Sequence, residues 1–230
     1  MNKNNCMLAK NYFEHMDKVK GNHFVITEKL DGVRCIAKWY GDEVIFESRN
    51  GKRIEGLVEI EKEIKEHLPY GYVYDGELLV DGAGFEKTSG EVRKKGIKTG
   101  ITFHIFDRIP GDIFDEDIKE FEYYWRRRFL NGIEEENLEH IKVVPILYEG
   151  QHTPMIDIIL DQVTERGGEG VMVNLLFSFY EKKRSFGLFK VKKFKTTELK
   201  VLDIIEGTGK YQNKLGANYR DWETDRKSVV

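Results

Sequence analysis

The residues best suited to covalent chemistry lie in the stretch Thr27-Glu28-Lys29-Leu30-Asp31-Gly32-Val33-Arg34. A lysine is nucleophilic only as the free amine, so a site that uses one must remove water from it or place other cations nearby. Lys29, at the end of an apolar strand and just before an Asp-Gly turn, would have its amine fixed at the floor of a cleft. The same pattern taken alone also describes a hairpin turn with a solvated lysine. Four further groups are of the kind that would join such a site. Arg49 precedes an Asn-Gly turn, and Glu77 interrupts an apolar run. Glu169 stands at the entrance of a strand, and Lys190 and Lys192 share one face of another. An unpaired carboxylate in an apolar strand is costly, so Glu77 is either at an edge or buried for a purpose. Two lysines on one strand face suit a polyphosphate, although lysines also protect exposed edge strands.

These groups need elements to carry them. Phe24-Val25-Ile26 reads as a buried strand leading into the lysine, and Val33 to Tyr40 alternates as the next. Gly41-Asp42 turns the chain into a returning strand, Val44 to Glu47. Residues 6–20 read as a short arm and helix. Leu57, Ile60, Ile64 and Leu68 are spaced as one helical face, and Pro69 and Gly71 end it. Tyr72 to Val80 is a strand carrying Glu77, and residues 81–100, rich in glycine and lysine, read as a mobile surface segment. Ile101 to Asp107 is a strand whose alternation puts His104 and Phe106 on one face. Ile118, Phe121, Trp125 and Phe129 predict a helix over 115–130, with Arg126-Arg127-Arg128 on its solvated side. Lys142 to Tyr148 is a strand, and Ile156, Ile159, Leu160 and Val163 mark a helix stopped at Gly167-Gly168. Strands at 171–173 and 189–195 follow.

Composition sets bounds. With 230 residues, 40% hydrophobic and 33% charged, the sequence is that of a folded globular chain. Cys6 and Cys35 are the two cysteines, too few for a disulfide framework or a cysteine-based zinc site. No apolar run approaches the length of a bilayer span, so no membrane is expected and a cytoplasmic location is. A net charge of −3 argues against a uniformly basic coat and leaves room for a local basic face.

Six elements stand in fixed order: Lys29-Leu-Asp-Gly-Val-Arg34, Ser48-Arg49-Asn-Gly, Asp75-Gly-Glu77, Phe103-His-Ile-Phe106-Asp, Glu169-Gly-Val-Met-Val and Lys190-Val-Lys192. Each is unspecific alone. Together they resemble the covalent nucleotidyltransferases, and among them the small ATP-dependent DNA ligases of phage and bacteria, over roughly residues 7–210. The resemblance implies an α+β fold: a nucleotidyltransferase (adenylation) domain of antiparallel sheets flanked by helices, followed by the start of an OB-fold β-barrel. It implies that Lys29 attacks the α-phosphorus of ATP, carries AMP as a phosphoramidate, and passes it to the 5′-phosphate of a nick, which the 3′-hydroxyl then seals. Glu77 would accept hydrogen bonds from the ribose, Phe106 would stack on adenine, and Thr27 and Glu28 would line the base pocket. Arg34 and Arg49 would hold the ribose end and the 5′-phosphate, and Lys190 and Lys192 the α-phosphate. Glu169, with Glu77, would hold Mg²⁺. The expected partner is nicked duplex DNA, met by a monomer in a bacterial or phage-infected cell.

The domain reading is 1–197 for the adenylation domain, 198–220 for the beginning of an incomplete OB-fold, and 221–230 for a non-native or disordered tail. An OB domain that stops early would weaken self-loading with AMP, and sealing more so. Two other classes share parts of the pattern. K-x-D-G-x-R also occurs in RNA ligases and GTP-dependent mRNA capping enzymes, but the Glu-Gly-Val-Met-Val and Lys-Val-Lys-Lys-Phe elements favour DNA ligase. A non-catalytic nucleic-acid-binding module would have lost motif residues, and none is lost here.

Overall fold

The computed structural model describes residues 5–193, 201–206, 212 and 215–220. The chain divides into two compact units, Met1–Lys192 and Lys193–Val230. Among the described residues of the first, ten strands run in the order β1 (Leu8–Asn11), β2 (Phe24–Glu28), β3 (Val33–Tyr40), β4 (Glu43–Ser48), β5 (Tyr72–Val80), β6 (Ile101–Pro110), β7 (Ile141–Val143), β8 (Ile146–Gly150), β9 (Val171–Leu175) and β10 (Arg184–Val191). They form two five-stranded sheets, β1-β10-β9-β2-β8 and β4-β3-β5-β6-β7. All pairings are antiparallel except β1 with β10 and β6 with β7. The mixed α+β architecture with antiparallel-dominated sheets is therefore as expected. In the second unit, β11 (Val201–Glu206) pairs antiparallel with β12 (Leu215–Arg220). The expected start of an OB-fold falls on this unit, and among its described residues the ladder is two-stranded and unclosed. Residues 221–230 lie outside the described residues.

Three apolar layers hold the first unit. The outward face of the first sheet packs Phe24, Ile26, Val171, Val173, Phe189 and Val191 under helix α6 (Pro154–Glu165), through Ile156, Ile159, Leu160 and Val163. The second sheet buries Cys35, Ala37, Tyr74, Leu78, Phe103 and Ile105 against helix α1 (Val58–His67), which contributes Ile60 and Ile64. Both helices follow the apolar spacing seen in the sequence. Between the sheets a third cluster joins Met7, Ile36, Val73, Ile109, Tyr180 and Leu188. β10 lies between β1 and β9, which removes the edge-strand explanation for Lys190, while Lys192 lies just past the end of the strand.

Several segments depart from the sequence reading. The N-terminal arm pairs as β1 and continues into two short 3₁₀ turns, Tyr12–Glu14 and Met16–Lys18, instead of a helix. Residues 81–100 contain helix α2 (Phe85–Arg93), with Thr88, Ser89 and Val92 buried, and Lys98 is buried by hydrogen bonding to the carbonyl of Glu55. In place of one helix over 115–130 there are α3 (Gly111–Glu116), α4 (Tyr123–Arg128) and α5 (Asn131–Glu135). Asp117 and Phe121, at φ 58° and 54°, break the helical path. Ile118, Phe121 and Trp125, read as the apolar stripe, are exposed, and the inward positions are Tyr123, Arg126, Arg127 and Leu130.

Arg126 is 1% exposed. Its Nε and Nη2 bind Asp107 at 2.8 and 3.1 Å, and its Nη1 binds the carbonyls of Phe121 and Ser178. A buried carboxylate stripped of such a partner costs several kcal/mol, far more than an exposed charge. Arg126→Leu is accordingly expected to lower unfolding free energy by about 3–5 kcal/mol. Arg128→Leu, at an exposed position two residues on, is expected to cost no more than about 1 kcal/mol. Urea denaturation of the two variants measures both.

Candidate active site

Strand register explains how the candidate residues meet. Lys190, Met172 and Thr27 are successive cross-strand partners on β10, β9 and β2, so their side chains share one face of the first sheet. Lys29 follows two residues after Thr27 and donates its backbone N–H to the carbonyl of Gly170 at 2.9 Å. Gly170 has φ +153°, and a Cβ there would come within 2.3 Å of the Val191 carbonyl. The glycine after Glu169 is thus required for β9 to enter between the lysine strand and β10.

On the second sheet, Arg34 pairs with Glu77 and Ile36 with Asp75, which sets Arg34 diagonally across from Asp75. Between β5 and β6 the register slips, Asp75 facing Asp107 and Gly76 facing Ile105, so Phe106 is the extra residue of a bulge. A bulge redirects the side chains beside it, and here it turns both Phe106 and Asp107 toward the cleft. The alternation that puts His104 and Phe106 on one face holds, since His104 is the cross-strand partner of the cleft-lining Glu77, and it breaks between Phe106 and Asp107. Gly76 permits the bulge, since a Cβ would lie 2.5 Å from the His104 carbonyl.

The two sheets enclose a cavity of about 350 Å³. Thr27, Glu28, Lys29, Arg34, Arg49, Glu77, Phe106, Glu169, Lys190 and Lys192, every candidate read from the sequence, line it. The cavity also takes in Asp75, Asp107, Met172, Asn174, Tyr180 and Arg184, which the sequence reading did not single out. Asp75 shares the strand parity of Glu77, so alternation alone could have added it. Nothing in the local sequence marks Tyr180.

Charges in the cavity are coupled. The Lys29 ammonium is ion-paired with Glu169, whose other oxygen is 3.7 Å from the Lys192 ammonium. Arg34 binds Asp75 through Nε at 2.5 Å and Nη2 at 2.6 Å, and its guanidinium lies 4.5 Å from the centre of the Phe106 ring. The Tyr180 hydroxyl donates to Asp75 and accepts from the backbone N–H of Met7. Burial raises the Asp75 carboxyl above its ordinary value, against the opposing pull of Arg34. Burial also pushes the Glu77 carboxyl up to about 7, and Arg34 and Lys29 offset this only in part. Glu28 is engaged by Arg166 at the cavity mouth. Among the described residues no cluster of three or more His, Cys, Asp or Glu side chains could hold a metal ion. No helix among them is long and apolar enough to cross a membrane.

Comparison with known proteins agrees with this geometry. The family described as ATP dependent DNA ligase domain matches residues 6–192. A DNA ligase of Haemophilus influenzae is 28% identical over 195 residues, which are 84% of this chain and 67% of that protein. The solved structure described as Pmar-Lig_PreS3 shares 30% identity at a TM-score of 0.81, over 94% of this chain and 52% of that one. A structure from a study of Lig E DNA ligases shares 28% identity at a TM-score of 0.71, over 94% of this chain and 79% of that one. The chain thus spans about two-thirds of the curated relative and about half of the first solved one. With most of its length matched and its motif residues gathered in one cleft, the chain belongs to the ATP-dependent DNA ligase domain family.

Proposed function

We propose that this chain is the adenylate-forming part of a nick-sealing DNA ligase that uses ATP and carries AMP on Lys29. The observation that carries the reading is the convergence of six separated sequence elements, from both sheets, on one cavity around the Lys29 amine. Nζ first gives up its ammonium proton, for which Glu169, in contact with it, is the nearest acceptor. The free amine then attacks the α-phosphorus, forming a P–N bond, breaking the P–O bond to pyrophosphate and shedding a second proton from the nitrogen. The phosphoramidate then yields AMP to a 5′-phosphate, and a 3′-hydroxyl displaces AMP to close the strand.

The groups sort by charge. Lys190 and Arg49 line the cavity without an ion pair among the described residues, which leaves them for phosphate oxygens. Arg34 has committed Nε and Nη2 to Asp75, so its main service is to hold positive charge against Phe106 and leave Nη1 for a ligand. Phe106, set into the cleft by the bulge, offers the apolar ring for adenine, and Thr27 and Glu28 complete the base end. Glu77 faces the ribose. Glu77 and Glu169 both line the cavity and feel each other's charge. That set fits Mg²⁺, which commonly takes one or two protein carboxylates and fills its shell with water and phosphate oxygens. Bound there, the ion would neutralise charge on the reacting phosphate. The partner is nicked duplex DNA, held largely by phosphate contacts and therefore salt-sensitive. A monomer acting in the cytoplasm suits this reading.

Two experiments test it. Incubation with ATP, GTP or NAD separately, followed by mass spectrometry, is expected to place AMP from ATP on Lys29 and nothing on Lys29→Ala. A guanylate from GTP alone would overturn the assignment. The second concerns Glu77. Its folded-state value of about 7 lies above the ordinary glutamate value, so the folded chain binds the extra proton. Stability should therefore fall as pH rises from about 4.5 to 7 and stay level above that. Glu77→Gln removes this dependence, and above pH 7 is expected to be about 1–3 kcal/mol more stable than the unaltered chain while forming lysyl-AMP more slowly. Denaturant titrations across that range, paired with adduct formation, measure both.

A further inference from the structure

A second cavity of about 350 Å³ adjoins the first through a shared wall residue, Arg184, which also donates to the carbonyl of Ala9 at 2.6 Å. Its lining carries the cations Lys10, Lys119, Lys183 and Arg184 against a single carboxylate, Glu181, already paired with Lys119 and Lys183. Phe179 and Phe186 complete it, 36% and 44% exposed, and Phe177 on the same loop is 60% exposed. Isolated exposed apolar residues need no explanation, but two phenylalanines lining one cationic cavity, with a third exposed on the adjoining loop, do.

The rings are held in place. The Lys10 ammonium sits 3.9 Å from the centre of Phe186, and His15 meets the same ring edge-on at 5.1 Å. Phe177 is stacked on Tyr124 at 6.4 Å and met edge-on by His23 at 6.2 Å. The loop that bears Phe177 and Phe179 is anchored by buried neighbours, Leu176 and Tyr180, and by the Arg126 bond to the Ser178 carbonyl, while Phe186 stands on β10. Aromatic faces alternating with cations are the arrangement that binds single-stranded nucleic acid, with bases on the rings and phosphates on the charges. In a duplex the base faces are hidden in the stack, so only unpaired bases can use these rings.

We infer that the surface formed by Phe177, Phe179, Phe186, Lys10 and Arg184 binds an unpaired nucleic-acid segment running on from the strand held in the active-site cleft. The site rests on the ligase reading for its partner and adds a substrate class: ends with an overhang or a flap, beyond simple nicks. A protein partner is less well matched, because the excess cations beside the rings would go unpaired on an apolar surface.

The test is fluorescence anisotropy of the full chain with oligothymidylate, with an abasic oligonucleotide of equal length, and with a blunt duplex. Phe177→Ala/Phe186→Ala is expected to weaken oligothymidylate binding by about tenfold or more and to leave abasic and blunt-duplex binding within about twofold. Lys10→Ala/Lys183→Ala should weaken all three, more so at low salt. Lysyl-AMP formation from ATP should be unchanged in both variants. The single change Phe177→Ala, at the most exposed ring, serves if the double variant folds poorly. Equal loss on abasic and base-bearing strands, no loss on either, or a change in self-association alone would overturn the assignment. If Lys29 takes no AMP while ring-dependent oligonucleotide binding persists, the ligase reading fails and the site stands.

Discussion

The cleft depends on keeping ionised groups between two apolar sheets without leaving them bare. Asp75 and Asp107 are direct cross-strand partners on β5 and β6, two carboxylates facing each other in a buried layer. Like charges so placed are destabilising unless each has its own cation. Arg34 serves the first and Arg126 the second, each through two nitrogens. Tyr180 lies between the two systems, its hydroxyl on Asp75 and its ring 5.6 Å from the Arg126 guanidinium. Segments far apart in sequence, near residues 7, 34, 75, 107, 126 and 180, are thereby fixed to one another by bonds that have narrow geometry.

Against that fully matched pair, Glu77 stands out as the undercompensated acid. It shares a strand face with Asp75 but has no bidentate partner, so burial outweighs the fields of Arg34 and Lys29. A carboxyl kept near neutrality and next to the lysine is the kind of perturbed group that marks a working site. The compensation is uneven: an arginine holds each of Asp75 and Asp107, whereas Glu77, Lys190 and Arg49 line the cavity without such a pair among the described residues.

The sequence made the first-order pattern readable where one period dominates. β2, β3, β5, α1 and α6 follow from continuous apolar runs, alternation or helical spacing, and the acids and lysines within them stood out as exceptions. It misled where polar atoms, not apolar area, decide burial. Arg126 looks like solvent-facing charge until Asp107 and two carbonyls are seen to engage all three of its guanidinium nitrogens. Thr88, Ser89 and Lys98 gave a glycine- and lysine-rich segment the look of a loose surface, though all three are buried. The bulge at Phe106 was equally invisible, because one extra residue in a strand leaves no compositional mark. Asp75 was within reach of the alternation rule and was passed over because it lies in the same short motif as Glu77.

The bulge also explains why the motif Phe103-His-Ile-Phe106-Asp has two residues at its end that act together. In a regular strand, Phe106 and Asp107 would point to opposite faces, and one of them would be lost to the apolar layer under Phe103 and Ile105. With Phe106 left unpaired, the strand keeps Phe103 and Ile105 in the core while the aromatic ring and the carboxylate both reach the cleft. Gly76 is the counterpart on β5, because any side chain there would strike the His104 carbonyl and the Phe103 ring. The glycine of Asp75-Gly-Glu77 and the adjacent aromatic and acid of β6 are therefore one device: a local break in register that lets a single sheet present the Phe106 ring, the Asp107 anchor for Arg126 and the Glu77 carboxyl on the same side.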